Sequence, residues 1–183
     1  MKLNFWERLL INNPVRSLVQ RHVEVPLLLR LGGRLDGKEV LEIGCGRGVG
    51  VEVILEKFGA TRVTAFDLDP RMIEIARKRL ASYSTDRLRL FVGDATSIEA
   101  PDRAFDAVFD FGIIHHIPIW QKAVAEVTRV LKPGGLFFFE EVTKQALDRW
   151  FYRTFFDHPK ENRFGVEDFV AEMERQGMKV GNQ

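Results

Sequence analysis

Lys38-Glu39-Val40-Leu41-Glu42-Ile43-Gly44-Cys45-Gly46-Arg47-Gly48-Val49-Gly50 is a short apolar run that stops in a cluster of glycines. Val40, Leu41 and Ile43 read as a buried strand. The glycines then permit a turn that brings bare backbone close to a ligand, with a helix starting near Val49. The N–H groups at such a helix start are unpaired and carry roughly half a positive charge, so the bend favours an anionic or electron-rich group. A dinucleotide fingerprint needs glycines at the first, third and sixth places, but counting from Gly44 the sixth place is Val49, and from Gly46 it is Val51. That spacing disfavours a nicotinamide enzyme. What stands here is acid-x-Gly-x-Gly-x-Gly, with Glu42 inside the end of the strand, where a carboxylate suits a ligand bearing an ammonium group. On this stretch alone, a glycine-rich corner of another α/β fold remains the alternative.

Outward from the bend, Val51, Ile54, Leu55 and Phe58 mark the buried face of a helix that ends near Gly59. Val63-Thr64-Ala65-Phe66-Asp67 is a second apolar strand finishing in an acid, and in an α/β nucleotide-binding unit that acid faces ribose hydroxyls. Asp69-Pro70 opens a helix over Arg71 to Leu80, with Asp69 as its cap. Leu88 to Ala95 is a third strand with Asp94 at its carboxyl end, and Phe105 to Asp110 a fourth. Phe111 to Trp120 carries no formal charge and holds His115 and His116; just past the fourth strand, it is placed to border a pocket. A helix over Lys122 to Leu131 leads through Lys132-Pro133-Gly134-Gly135 into a fifth strand, Leu136 to Glu141. Gly165 to Gln176 is a last amphipathic helix ended by Gly177, after which Met178-Lys179-Val180 reads as strand-like.

With these residues in view, the chain resembles the class I S-adenosylmethionine-dependent methyltransferases, over residues 38 to 142. The first motif of that family is the acid-x-Gly-x-Gly-x-Gly loop, and the Leu-Lys-Pro-Gly-Gly turn before an apolar strand is shared as well. The resemblance implies a Rossmann-like, doubly wound, mostly parallel α/β sheet with helices on both faces. It implies S-adenosylmethionine as cofactor and S-adenosylhomocysteine as product, held by Glu42, Gly44, Cys45, Gly46, Gly48, Asp67, Leu68, Asp94, Ala95, Asp110 and Phe111, with Asp94 and Ala95 at the adenine. The family closes with two further strands, and a complete final hairpin does not fit after Val180, so either the chain is shortened or the far edge is built differently.

Methyl transfer mainly requires that two reactants be held in line and water excluded, so a base is needed only where the attacking atom must lose a proton. His116, His115 and Glu141 are the candidates, with Glu140 beside them; imidazole titrates near neutrality. The Asn/Asp-Pro-Pro-Tyr/Phe tetrapeptide of nucleobase amino-group methylases is absent, because Phe111-Gly112-Ile113 follows Asp110. No acid cluster with a neighbouring Asn follows the fourth strand, so no metal is expected. The resemblance therefore points to the small-molecule group that includes quinone C-methylases, with a small organic, apolar or lipid-like acceptor. An RNA or protein methyltransferase, for which Arg71, Arg77, Lys78, Arg79, Arg87 and Arg89 would form a basic surface, and a non-catalytic cofactor-binding module are the alternatives.

The 183 residues suit one domain: a helical cap or lid over 1–36, a cofactor-binding core over 37–142 and an acceptor-side segment over 143–183. With 27 basic and 26 acidic residues mixed along the chain there is no basic field of the kind that grips nucleic acid, and no nucleic-acid partner is expected. Cys45 is the sole cysteine, which excludes an internal disulfide, fits a reducing compartment and reads as a small filler. There is no secretory pattern, and no uncharged apolar run nears the roughly 20 residues of a membrane span, so a soluble, cytoplasmic protein is expected. Residues 3 to 11 and the Pro14-led stretch that follows read as two amphipathic helices. They would cover an edge of the domain, close over the acceptor, or meet lipid through Phe5, Trp6, Leu9 and Leu10. The aromatics of Gln145 to Phe156 would line an apolar pocket or pack against those helices.

Overall fold

The computed structural model describes residues 18, 20–144 and 161–181. The expected helix at 3–11, most of the helix after Pro14 and the aromatic segment at 145–156 lie outside the described residues.

Five strands form one parallel sheet: β1 (Glu39–Ile43), β2 (Arg62–Asp67), β3 (Leu88–Val92), β4 (Phe105–Asp110) and β5 (Leu131–Phe139), in the order β3-β2-β1-β4-β5. Parallel strands need crossovers, and helices fill them on both faces, as their near-continuous apolar runs require. Along β1 and β4 the side chains alternate between two cores. Val40, Ala107 and Phe109 join one with Val51, Ile54 and Phe58, while Leu41, Ile43 and Val108 join the other with Val124, Val127 and Phe169. The chain order reverses between β1 and β4, so the crevice outside their carboxyl ends is where such sheets bind ligands.

A turn of π-helix (Gln20–Glu24) leads into α1 (Val25–Gly32). α2 starts at Val49, after Gly48 in the left-handed region at φ 82°, and runs as an α-helix to Val53 and as a π-turn over Ile54–Phe58; Gly59, at φ 78°, ends it. α3 (Pro70–Arg79) has Asp69 as its cap, the carboxylate accepting the Arg71 N–H at 3.0 Å. α4 (Trp120–Val130) passes into β5 with no loop between them. The Lys132–Gly135 stretch bulges between Leu131, opposite Phe105, and Leu136, opposite Ala107. Arg129 of α4 donates to the carbonyls of Ile98 and Ala100, both at 2.9 Å, and so ties down the chain leading out of β3. α5 (Val166–Arg175) covers the second core.

Several expected boundaries shift. β3 stops at Val92, so Asp94 sits in the turn beyond it; β5 starts at Leu131 rather than Leu136 and stops at Phe139, so Glu140 and Glu141 stand past its end; and α4 begins two residues before Lys122. Met178 to Val180 forms no strand. Its Met178 and Val180 are packed against the second core instead, where apolar burial stands in for strand pairing.

The first core is keyed by three rings. Phe58 meets Phe109 edge-on at 4.8 Å between centroids and Phe138 at 5.4 Å, and Phe109 stacks on Phe138 at 4.5 Å. Phe58 is fully buried, so Phe58→Ala is expected to cost about 3–5 kcal/mol in urea unfolding by leaving a ring-sized cavity.

Candidate active site

A cavity of about 460 Å³ opens at the carboxyl ends of β1, β2 and β4. Of the residues expected there, Glu42, Gly44, Cys45, Gly46, Asp67, Leu68, Asp94, Ala95, Phe111 and His116 line it. Gly48, Asp110, His115, Glu140 and Glu141 do not. Gly48 instead lies against α3, where a Cβ would come within 2.8 Å of Leu80 and 3.3 Å of Ala76. Asp110 is turned away by strand alternation: it pairs in register with Ile43, on the opposite face from Glu42, and spends Oδ1 on the Ile113 N–H at 2.8 Å.

The bend itself is shaped by close approach. Gly44 has φ 66°, and a Cβ there would strike the Ile113 side chain at 2.6 Å, so the loop after β1 touches the loop after β4. Asp67 braces the bend from β2: Oδ2 accepts the Gly46 N–H at 2.9 Å and Oδ1 the Asp69 N–H at 2.8 Å. Asp94 makes a tight turn of its own, with Oδ1 accepting the Thr96 N–H and hydroxyl, each at 2.8 Å.

Glu42 is buried at the cavity wall. Its side chain is 2% exposed, its Oε2 has no hydrogen-bond partner among the described residues, and α2 approaches so closely that a Cβ on Gly50 would run into the carboxylate. Burial first, then the charges of Asp67 and Asp110, push the Glu42 carboxyl well above the usual range. Burial also raises Asp67, against the pull of its two N–H donors, and lifts the Cys45 thiol well up, which leaves Cys45 an inert filler. A cationic group on a ligand would relieve Glu42 directly.

His115 and Glu141 face each other, with side chains 7% and 4% exposed and Nδ1 2.6 Å from Oε2. The His116 ring, buried but part of the cavity wall, lies 4.1 Å from that of His115.

Residues 40–135 match the family described as "Methyltransferase domain", which is more than half of the chain. The chain belongs to this methyltransferase family. Among curated relatives, the fatty-acid O-methyltransferase of Mycolicibacterium smegmatis is 36% identical over 107 residues, 58% of this chain and 38% of the relative. The phthiotriol/phenolphthiotriol dimycocerosates methyltransferase of Mycobacterium tuberculosis is 36% identical over 103 residues, 56% of this chain and 37% of the relative. The chain thus spans well under half the length of either. A solved S-adenosylmethionine-dependent methyltransferase from Aquifex aeolicus superposes with a TM-score of 0.77 over 99% of this chain and 92% of its own, at 20% identity, a likeness of fold.

Several lining residues of this methyltransferase domain carry no signal in the sequence. Gln20 and Lys122 are brought in from elements far apart along the chain, and Met72 from the first turn of α3. Arg79 reaches the cavity while pairing with Glu52 of α2 at 3.2 Å, and Glu52 also holds Arg21 at 2.6 Å. Gly50 was detectable in principle, since a glycine in a helix sacrifices about 1 kcal/mol against alanine and calls for a reason. The described helices include none long and apolar enough to cross a membrane.

Glu42, Asp67, Asp110 and Glu141 all bind protons more tightly in the fold than in the unfolded chain. Burial is the first cause in each case, and Glu141 is raised from 4.5 to about 6. Their stabilising contribution is therefore present below the unfolded values and lost as pH rises through the folded ones. Acids lowered by partners, such as Asp106 and Glu126, act in the opposite sense but only below about pH 4.5. The Glu141 shift alone corresponds to about 2 kcal/mol. The Tm of the ligand-free protein, by scanning calorimetry, is expected to fall by about 3–6 °C between roughly pH 4.5 and 7, the window in which Glu141 loses its contribution.

Proposed function

We propose that the cavity binds S-adenosylmethionine and that the chain transfers its methyl group to a small apolar or lipid-like acceptor. The observation that carries this reading is the buried Glu42 oxygen without a partner among the described residues, set at the wall of a glycine-bend cavity. A ligand with one cationic end and one ribose fits that set of donors and acceptors. Glu42 would face the ammonium group, the Gly44–Gly46 bend would pass beneath it, Asp67 would take the ribose hydroxyls and Asp94 with Ala95 the adenine edge. When bound, this group supplies a sulfonium methyl that is electrophilic and leaves behind a neutral thioether.

The chain's part is to orient the acceptor and keep water out. Ile113, Ile117, Pro118 and Ile119 give the wall after β4 an apolar character, which suits a hydrocarbon-rich acceptor. The names of the two mycobacterial relatives, a fatty-acid and a phthiotriol dimycocerosate methyltransferase, support the same class. His116, within that wall, is the residue we assign to accept a proton from an acceptor that must lose one. An RNA acceptor is less well supported. Four of the six basic residues that would bind it are engaged within the protein: Arg77 with the Leu90 carbonyl, Arg79 with Glu52, Arg87 with the Ala60 carbonyl, and Arg89 over the Phe91 ring.

Asp67→Asn, which keeps size and removes charge, is expected to weaken S-adenosylmethionine binding by at least about 10-fold in calorimetry, the scale of one charge-assisted hydrogen bond. Unchanged affinity would remove the ribose assignment. Incubation with methyl-labelled S-adenosylmethionine and a panel of long-chain fatty acids, phenols and short RNAs, read by mass spectrometry, tests the acceptor; label on RNA alone would overturn the apolar class.

A further inference from the structure

The wall after β4 is gripped by carboxyls from two strands. Asp110, the last residue of β4, accepts the Ile113 N–H at 2.8 Å. Glu141, two residues past β5, accepts the Ile114 N–H on Oε1 at 2.6 Å, and on Oε2 the Nδ1 of His115 at 2.6 Å and its own neighbour's Val142 N–H at 3.1 Å. Three successive residues, 113 to 115, are therefore fixed by side chains 3 to 27 residues away in sequence. The next residue is His116, which lines the cavity and whose ring rests against that of His115.

Neither Glu141 nor His115 lines the cavity, so neither touches an acceptor there. Their effect on it runs through the wall. Two neighbouring buried carboxyls resist ionising together, and the one with more N–H donors takes the charge. Burial raises Glu141 only to about 6, because the Asp110 carboxyl and then the backbone N–H groups around it bond to its charged form, while burial, the Glu141 charge and that same carboxyl bond hold Asp110 well above its usual range. The charged and titratable groups facing Glu141 are Asp110 from β4 and His115 from the loop.

We propose that Glu141 is the positioning residue of the acceptor wall: as a carboxylate it holds the Ile114 amide and the His115 Nδ1–H, and thereby sets the ring of His116 at the cavity. This deepens the methyl-transfer reading and rests on it for what the wall is used for; the grip itself does not depend on any ligand. Protonation of Glu141, or its exchange for glutamine, removes one acceptor oxygen and frees either the amide or the imidazole.

The test uses the full chain labelled with ¹⁵N-histidine, with imidazole nitrogens read by long-range ¹H–¹⁵N correlation near neutral pH. His115 is expected to carry its proton on Nδ1, and Glu141→Gln to shift the signals of both His115 and His116. The same variant is expected to bind S-adenosylmethionine within about 2-fold of wild type while kcat/KM for a long-chain fatty acid falls by roughly 10- to 100-fold, the scale of a small misplacement. His115 with a bare Nδ1, unchanged signals in the variant, or cofactor affinity lost as steeply as acceptor use would each overturn the proposal. If Glu141→Gln does not fold, His115→Ala takes its place, with the His116 signal as readout; an unmoved signal overturns it equally. A wild-type protein that shows the Nδ1 proton but binds no S-adenosylmethionine would refute the functional reading and leave the grip standing.

Discussion

Burying three carboxyls at neighbouring strand ends is the constraint that organises this molecule. Glu42, Asp67 and Asp110 crowd the carboxyl ends of three adjacent strands, and each is raised first by burial and then, for Glu42 and Asp110, by its acidic neighbours. Such an arrangement is unfavourable on its own, since a buried charge must be paired, hydrogen-bonded or neutralised. The fold answers in two ways. Asp67, Asp110 and Glu141 are given backbone N–H groups from the loops they stabilise, while Glu42 is left facing the cavity. Loop geometry and ligand preference thus come from the same electrostatic problem.

The sheet makes that problem possible. Side chains alternate with period two, so adjacent strand-end positions diverge to opposite faces: Glu42 shares a face with Val40 and Phe109, and Asp110 with Ile43 and Val108. One acid therefore meets the cavity below α2, and the other holds the loop after β4. The contact between Gly44 and Ile113 then joins the two loops across the point where strand order reverses.

Much of this was legible in the sequence because the informative features are local. Apolar runs ending in Glu42, Asp67 and Asp110, glycines at 44, 46 and 48, and the Asp69-Pro70 helix start each declare themselves within a few residues, and four strands were placed to within a residue or two, Leu88 to Val92 apart at its end. What stayed hidden depends on approach through space. Nothing near Glu141 announces a bond to an imidazole 26 residues earlier, and nothing at Gln20 or Lys122 marks a cavity wall. The fifth strand was expected to start at Leu136, after the Pro-Gly-Gly turn; pairing of Leu131 with Phe105 places that turn inside the strand as a bulge, an outcome fixed by the neighbouring strand. The strand expected at Met178 to Val180 failed for a similar reason, because apolar residues there found a core to pack on.

The intimacy of α2 with β1 has an evolutionary corollary. Because the Gly50 backbone, which carries no Cβ, abuts the acid at Glu42, with the Phe111 ring also close by, these positions cannot drift independently. A lineage that acquires alanine at 50 must move or shorten the acid at 42 and also displace the aromatic, so substitutions at the pair should be strongly non-additive and should covary among sequences sharing this bend.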